Sequence, residues 1–473
     1  MSMERFSHFV LFGATGDLAH SKMYPALFDL YQNNALPADF AFLGMAFDDL
    51  SVTEFQRQVQ KTLEAQYEAS EHISEFVSML AYAPVDFGEP ATVEDTIAEH
   101  ADTENGRFVF YLAIPPAAFE TVSLCVKRFQ ETYCDCQLRV VVEKPFGQDL
   151  ESAKHLNNTL REFLYEEQIY RMDHYLGKET VQNILALRFG NSLFEPLLNN
   201  RYVQNIELDL IEEEGIGERA GYFDGTGIIK DVLQNHILQV LSLLMMEPPV
   251  QIQSNFVRDE KHKFLASLAP LDLSSFHLGQ YGSNENGEMN AYQEEPDVPE
   301  DSQTETYVSM QMGVKNMRWD GVPVYVRTGK RLNEKKTEIR VTFHPSFQYF
   351  VNQKETCNPA PNVLVIRIQP NEEVYYTVNA KFPGEGMCIQ PVKLHFTYQE
   401  SFNVPIQDAY TRLLKDAIEG DQTLFIRSDE IEAAWEYVTP VLEAKKQGEL
   451  TPQTYTSGST IEEVEEEITE AGE

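Results

Sequence analysis

The chain has 473 residues, 42% of them hydrophobic and 11% aromatic, and a formal net charge of −38 at pH 7. That length exceeds the roughly 250–300 residues that one hydrophobic core organises, so two domains are expected, and the apolar content excludes a disordered chain. A surface this negative repels phosphate backbones and anionic headgroups, which excludes nucleic acid and membrane as partners.

No apolar run approaches the roughly 18 residues of a membrane span, and the opening MSMERFSHFVLFGATGD lacks a signal-peptide pattern. A soluble, cytoplasmic protein is expected. Cys125, Cys134, Cys136, Cys357 and Cys388 have no disulfide-framework spacing, and Cys134-Asp135-Cys136 is too tight for the usual zinc pair. Buried or inert thiols in a reducing compartment are expected, with no metal. The acidic runs 294–304 and 462–473 read as solvated or disordered.

In chain order, residues 9–12 (FVLF) form a strand that ends at Gly13, and a helix runs from Leu18 through Tyr31. Further strands at 40–44, 108–113 and 138–142 alternate with helical stretches, the pattern of a doubly wound parallel sheet. Residues 143–147 (EKPFG) break that rhythm, and a helix follows around 150–167. Strands at 206–211, 305–313, 322–327, 338–343, 362–369 and 392–397 then follow with few helices between them. The fold class is therefore an α/β Rossmann-like dinucleotide-binding domain over 1–148, followed by an α+β domain over 149–473 with a large, mainly antiparallel sheet. The polar segment 282–304 is expected to be a surface excursion, and the sequence shows no internal repeat.

Gly13-Ala14-Thr15-Gly16-Asp17-Leu18-Ala19 follows a strand and opens a helix, where backbone N–H groups and the helix dipole suit a pyrophosphate. It is GxxGxxA rather than the full GxGxxG. Short-chain dehydrogenases share such a turn but need Tyr-x-x-x-Lys, and none of the 22 tyrosines has Lys four residues later. Residues 171–178 (RMDHYLGK), with Gln234-Asn235-His236, gather an Asp, two His and basic side chains, a set suited to gripping phosphate and moving a proton. On a helix over 228–246, Ile229, Leu233, Ile237, Val240 and Leu244 make an apolar stripe with His236 at its edge.

Eight ordered motifs resemble the glucose-6-phosphate dehydrogenase family. They are GATGDLAHSKMYP (13–25), FYLAIPP (110–116), EKPFG (143–147), RMDHYLGKE (171–179), ERAGYFDGTGIIKDVLQNHILQ (218–239), WDGVPVYVRTGKRLNEK (319–335), RIQPNE (367–372) and DAYTRLL (408–414). The resemblance implies hydride transfer from C1 of glucose 6-phosphate to NAD or NADP, giving 6-phosphogluconolactone, the first step of the oxidative pentose phosphate pathway. His236 matches the base and Asp173 the carboxylate that steadies it. His174, Tyr175 and Lys178 match the phosphate grip, with His174 and Lys178 on one face if that turn is helical. Lys330 and Lys335 match further basic positions, and Glu212 and Asp231 match acceptors for sugar hydroxyls, although Glu213 and Glu214 leave the register at Glu212 open. Lys144 is implied where cofactor and substrate meet, before a Pro145 that is often cis. Gly13, Ala14, Thr15, Gly16, Asp17, Leu18, Lys22 and Tyr111 are implied to line the cofactor cleft. A homodimer through the broad sheet of the second domain is also implied.

Two positions depart from the family pattern. Phe47 stands where an arginine commonly binds the 2′-phosphate of NADP, and Asp48 and Asp49 would repel that phosphate, so NAD use is expected. Leu198 stands where Trp is usual, and repacking of the substrate domain is expected. Two other readings stay open, a non-catalytic nucleotide and sugar-phosphate sensor and a dehydrogenase of another phosphorylated sugar.

Overall fold

A computed structural model describes residues 6–68, 71–103, 106–217, 220–284, 286–346, 359–384, 387–397, 401–402 and 406–470. Cys357, Glu218, Arg219 and residues 471–473 of the acidic tail lie outside that set. The chain divides into two compact units. The first comprises Met1–Gly177, Pro249–Arg258 and Gln407–Glu432, and the second Lys178–Pro248, Asp259–Ile406 and Ala433–Glu473.

The first unit holds a six-stranded sheet of β1 (His8–Phe12), β2 (Ala41–Ala46), β3 (Leu80–Pro84), β4 (Arg107–Leu112), β5 (Gln137–Glu143) and β6 (Ile169–Met172). Its order is β3-β2-β1-β4-β5-β6, with every pairing parallel. Runs such as Val10-Leu11-Phe12 and Val140-Val141-Val142 are wholly buried, because crossover helices cover both faces of a parallel sheet. The helix Val52–Gln66 starts in a reciprocal capping box of Ser51 and Glu54, and Leu150–Arg161 in one of Asp149 and Ser152. β1 lies between β2 and β4, so the chain order reverses there and a crevice opens at the carboxyl ends of β1 and β4.

The second unit carries nine strands, β7 (Val203–Ile211), β8 (Phe276–Tyr281), β9 (Tyr307–Met312), β10 (Val324–Gly329), β11 (Lys336–Phe343), β12 (Val363–Gln369), β13 (Glu373–Lys381), β14 (Ile389–Thr397) and β15 (Gln453–Tyr455). Their order is β14-β13-β12-β11-β7-β10-β9-β8-β15. The sheet is mainly antiparallel, as expected, with β7/β10 and β8/β15 parallel. Leu198 is buried at 1% exposure, and its carbonyl accepts from Arg318 at 2.9 Å.

Three expectations are corrected. The acidic tail is not a solvated run through its described length, because Ile461–Glu470 is a helix that buries Ile461, Val464 and Ile468. Each such side chain contributes roughly 1.5–3 kcal/mol as an upper figure, enough to order a short helix on which Glu462, Glu463, Glu466 and Glu470 are exposed. The segment 282–304 is not simply a surface excursion. Tyr292 and Glu295 are buried, with Tyr292 donating to Asp224 at 3.0 Å and Glu295 paired to Arg331 at 3.0 Å. Finally, Cys388 is disulfide-bonded rather than a free thiol, while Cys125 and Cys136 are buried and free and Cys134 is exposed. Spacing along the sequence says nothing of which sulfurs the fold brings within bonding distance. Among the described residues no helix is long and apolar enough to cross a membrane.

Candidate active site

The glycine turn sits at the crevice between β1 and β4. Gly13 has φ +84°, and a Cβ there would collide with the Ala113 carbonyl, so only glycine lets the turn close against β4. The Gly13 and Ala14 N–H groups both donate to the Met45 carbonyl, at 2.8 and 3.1 Å, and the Tyr24 hydroxyl donates to the Ala14 carbonyl. A Cβ on Gly44 would stand 2.8 Å from that of Ala14, so β2 and the turn pack with no room to spare. The helix that follows is π-wound over Ala19–Met23, which includes Lys22, before it becomes α-helical over Tyr24–Gln32. Thr15, Gly16, Asp17 and Leu18 lead from that turn into the helix, whose start is where this fold class places a pyrophosphate.

Beyond β2, Phe47 is 64% exposed, with its ring 4.9 Å from that of Phe87. The Thr15 hydroxyl donates to the Asp48 carboxylate, and the Tyr82 hydroxyl donates to the Asp48 carbonyl at 2.6 Å. An acidic group is thus tied to the glycine turn, at the end of the strand where a ribose is recognised in this fold class.

The parallel pairing of β5 with β6 sets Glu143 opposite Met172, so Lys144 and Asp173 leave adjacent strands side by side. Lys144–Pro145 is cis. Asp173 is buried at 1% exposure and accepts from the Tyr175 N–H at 2.9 Å. Arg171, buried on β6, is not its ion-pair partner; it pairs with Glu166 at 2.5 Å and donates to Asn157 at 3.1 Å. The residues after Asp173 form turns rather than a helix, with the Gly177 N–H donating to the His174 carbonyl at 3.2 Å. The conditional reading that sets His174 and Lys178 on one helix face therefore does not hold. A Cβ at Gly177 would stand 2.5 Å from the Ala409 carbonyl, which fixes this tight course. The His174 ring lies parallel to Tyr410, at 6.2 Å. Lys22 is 3.8 Å from Asp408 and 5.7 Å from the Tyr410 ring. Tyr111 is wholly buried and its hydroxyl donates to Glu143.

In the second unit, Lys178 is the extended residue before the helix Glu179–Phe189, and its ammonium donates to the Gln369 side chain at 3.0 Å. The parallel pair β7/β10 aligns Ile211 with Gly329, so the next residues, Glu212 and Lys330, emerge together and form an ion pair. Glu212 is half-buried, whereas Glu213 and Glu214 are exposed. Lys335 is exposed, 3.7 Å from Glu214.

His236 (3% exposed) and the half-buried Asp231 lie on a π-wound segment, Ile229–Ile237, that continues as the α-helix Leu238–Met245. An α-helix turns about 100° per residue, which would put residues five apart on well-separated faces. The i→i+5 winding brings Asp231 and His236 back towards one face. Both ends of this rod are held. Glu305 accepts from the Ile228 N–H through its carbonyl, at 3.1 Å, and from the Ile229 N–H through its carboxylate, at 3.2 Å. At the other end Arg188 donates to the Leu243 and Met246 carbonyls, at 2.9 and 2.7 Å, and the Trp319 indole to the Met245 carbonyl, at 2.7 Å. His236 is therefore presented on a helix with little freedom to shift.

The family model for the glucose-6-phosphate dehydrogenase NAD binding domain matches residues 10–183, and that for the C-terminal domain matches residues 185–472. The chain belongs to the glucose-6-phosphate dehydrogenase family. It is 42% identical over 456 residues to glucose-6-phosphate 1-dehydrogenase of Aggregatibacter actinomycetemcomitans, covering 93% of this chain and 91% of that one. With the chloroplastic enzyme of Spinacia oleracea it shares 39% identity over 461 residues, covering 95% of this chain and 80% of the relative. Among solved structures, a glucose-6-phosphate dehydrogenase in complex with glucose-6-phosphate superposes with a TM-score of 0.91 at 36% identity, over 100% of this chain and 99% of that one. The Mycobacterium avium enzyme gives 0.84 at 32%, over 96% and 95%.

Within this family frame, several residues with no assigned role gain one as supports. Glu305, Arg188 and Trp319 fix the His236 helix, and Gln369 and Glu372 of the RIQPNE motif accept from Lys178 and Thr180. Trp319 and Gln369 lie inside quoted motifs, so a signal existed, but nothing in the sequence names the partner. Glu305 and Arg188 carry no sequence signal beyond being charged.

Proposed function

We propose that the chain oxidises D-glucose 6-phosphate at C1 to 6-phosphogluconolactone, with NAD or NADP as hydride acceptor, as the first step of the oxidative pentose phosphate pathway. The bound nicotinamide supplies the hydride-accepting carbon. His236 takes the proton from the C1 hydroxyl oxygen as hydride leaves, which prevents positive charge from building at C1. Asp173 steadies the imidazolium. Lys178, His174 and Tyr175 bind the 6-phosphate, with Lys335 adding positive charge nearby. Lys330 is a further basic position at the sugar phosphate, and Glu212 and Asp231 engage sugar hydroxyls, polar groups that an analogue lacking one hydroxyl would leave unpaired. Lys144 acts where sugar and cofactor meet, and Lys22 and the glycine turn hold the cofactor. Tyr111 contributes through Glu143.

The observation that carries this reading is the His236 helix, pinned at both ends and π-wound so that a base and a hydroxyl acceptor approach one face. A sensor needs the grip but has no use for a rigidly presented imidazole. The coenzyme is proposed to be NAD at least as readily as NADP, because Phe47, Asp48 and Asp49 offer acceptors and no cation at the ribose end. A spectrophotometric assay with glucose 6-phosphate and each coenzyme tests both points. The expected kcat/KM for NAD equals or exceeds that for NADP, and a tenfold or greater preference for NADP contradicts it.

A homodimer through the nine-stranded sheet is part of the proposal, supported by Val392 and Leu394, 43% and 61% exposed on β14. Sedimentation equilibrium at micromolar concentration should return twice the chain mass, and a monomer would overturn this part. A cytoplasmic setting is proposed on the same footing, since a sugar phosphate and a dinucleotide are too highly charged to cross a bilayer unaided.

A further inference from the structure

Three of the family motifs contribute one side chain each to a single point in the first unit: Tyr111 from FYLAIPP, Glu143 from EKPFG and Tyr410 from DAYTRLL. The Tyr111 hydroxyl donates to the Glu143 carboxylate and lies 3.8 Å from the Met172 sulfur. Tyr410, at the start of the helix Ala409–Glu419, is hydrogen-bonded to the same carboxylate. Tyr410 has no role in the reaction as described above, and Glu143 enters it only as the acceptor of the Tyr111 hydroxyl. Yet the residues that surround them do carry roles: Lys144 is the next residue, Asp173 follows the paired strand, His174 stacks on Tyr410, and Lys22 lies over the Tyr410 ring.

We propose that Glu143 is a positioning residue for the oxidation, its carboxylate held by the two tyrosine hydroxyls so that Lys144 and Asp173 stand in fixed relation. This rests on the proposed oxidation at C1. Four groups bear on the carboxylate. Tyr111 from β4 and Tyr410 from the Ala409–Glu419 helix donate to it, Lys144 on its own segment attracts it, and Asp173 after β6 repels it. The ionised form is the useful one, because it accepts both hydroxyls and attracts the Lys144 ammonium, although Asp173 repels it. Withdrawal from water opposes that form and raises the Glu143 pKa from its ordinary value to about 7, despite the two hydrogen bonds and Lys144, which lower it.

The sign of the pH effect follows. A carboxyl whose pKa is raised on folding binds its proton more tightly in the folded chain than in the unfolded one. Between the ordinary carboxylate value and about 7 it therefore contributes stability that falls as pH rises. Ionised Glu143 thus works at a cost to stability, and each tyrosine hydroxyl reduces that cost.

The test joins infrared difference spectroscopy to kinetics on the full chain. In the unsubstituted protein a protonated-carboxyl band should titrate near neutrality, vanish in Glu143→Gln and titrate at higher pH in Tyr410→Phe, which removes one bond that favours the ion. Glu143→Gln should lower kcat/KM at least tenfold, mostly in kcat, and Glu143→Asp should recover part of it. If Glu143→Gln does not fold, the band shift and kcat of Tyr410→Phe decide the matter. A kcat/KM within threefold of the unsubstituted enzyme, or a band that Glu143→Gln leaves in place, overturns the proposal. So does a loss in Glu143→Gln that Glu143→Asp does not relieve although both variants melt normally. If glucose 6-phosphate is not oxidised by the unsubstituted chain, the underlying reading fails instead, and the infrared titration still reports on Glu143 itself.

Discussion

Replacing His236 by Asn is expected to lower kcat by about 10²–10⁴-fold, the range that a positioned general base supplies, while KM for glucose 6-phosphate changes only a few-fold. Asparagine keeps a planar polar side chain of similar reach in the same buried site, so the helix should stay as Glu305, Arg188 and Trp319 hold it. What disappears is the group that accepts the C1 hydroxyl proton. Steady-state kinetics beside a melting curve separate the two effects. A kcat within threefold of the unsubstituted enzyme, at unchanged melting temperature, would remove His236 from the reaction.

Replacing Lys178 by Gln is expected to raise KM for glucose 6-phosphate by roughly 10–100-fold, since a hydrogen bond to a charged group contributes about 1.5–3 kcal/mol. Glutamine can still bond to Gln369, so the start of the Glu179–Phe189 helix should keep its place. With a net charge of −38 the protein's own field opposes an anionic ligand, and each cation at the phosphate counts for more than it would on a neutral surface. Unphosphorylated glucose should be turned over equally by both forms. The ratio of kcat/KM for the two sugars should therefore shrink by the same factor, and an unchanged ratio would assign the phosphate to other residues.

The parallel sheet and the glycine turn were legible because β1, β2, β4 and β5 are apolar runs separated by helical patterns. β6 was not, because Arg171 interrupts the run Ile169-Tyr170-Arg171-Met172, and only Glu166 and Asn157 make its burial tolerable. In the tail, Ile461, Val464 and Ile468 do recur at helical spacing, but the surrounding glutamates hid three apolar residues among many charges. The candidate residues themselves were legible through motifs. Their supports were not, since which carbonyl Arg188 caps, or which N–H Glu305 receives, is decided by segments that meet only in the folded unit. The π winding of Ile229–Ile237 is likewise absent from any periodicity in the sequence, and it changes which face Asp231 shares.

Following the hydrogen at C1 tests the reaction most directly. With glucose 6-phosphate deuterated at C1 and either coenzyme, the deuterium is expected on the reduced nicotinamide, in one-to-one ratio with 6-phosphogluconolactone formed. Deuterium released to water, or binding of sugar and coenzyme with no reduced nicotinamide at all, would contradict hydride transfer from C1.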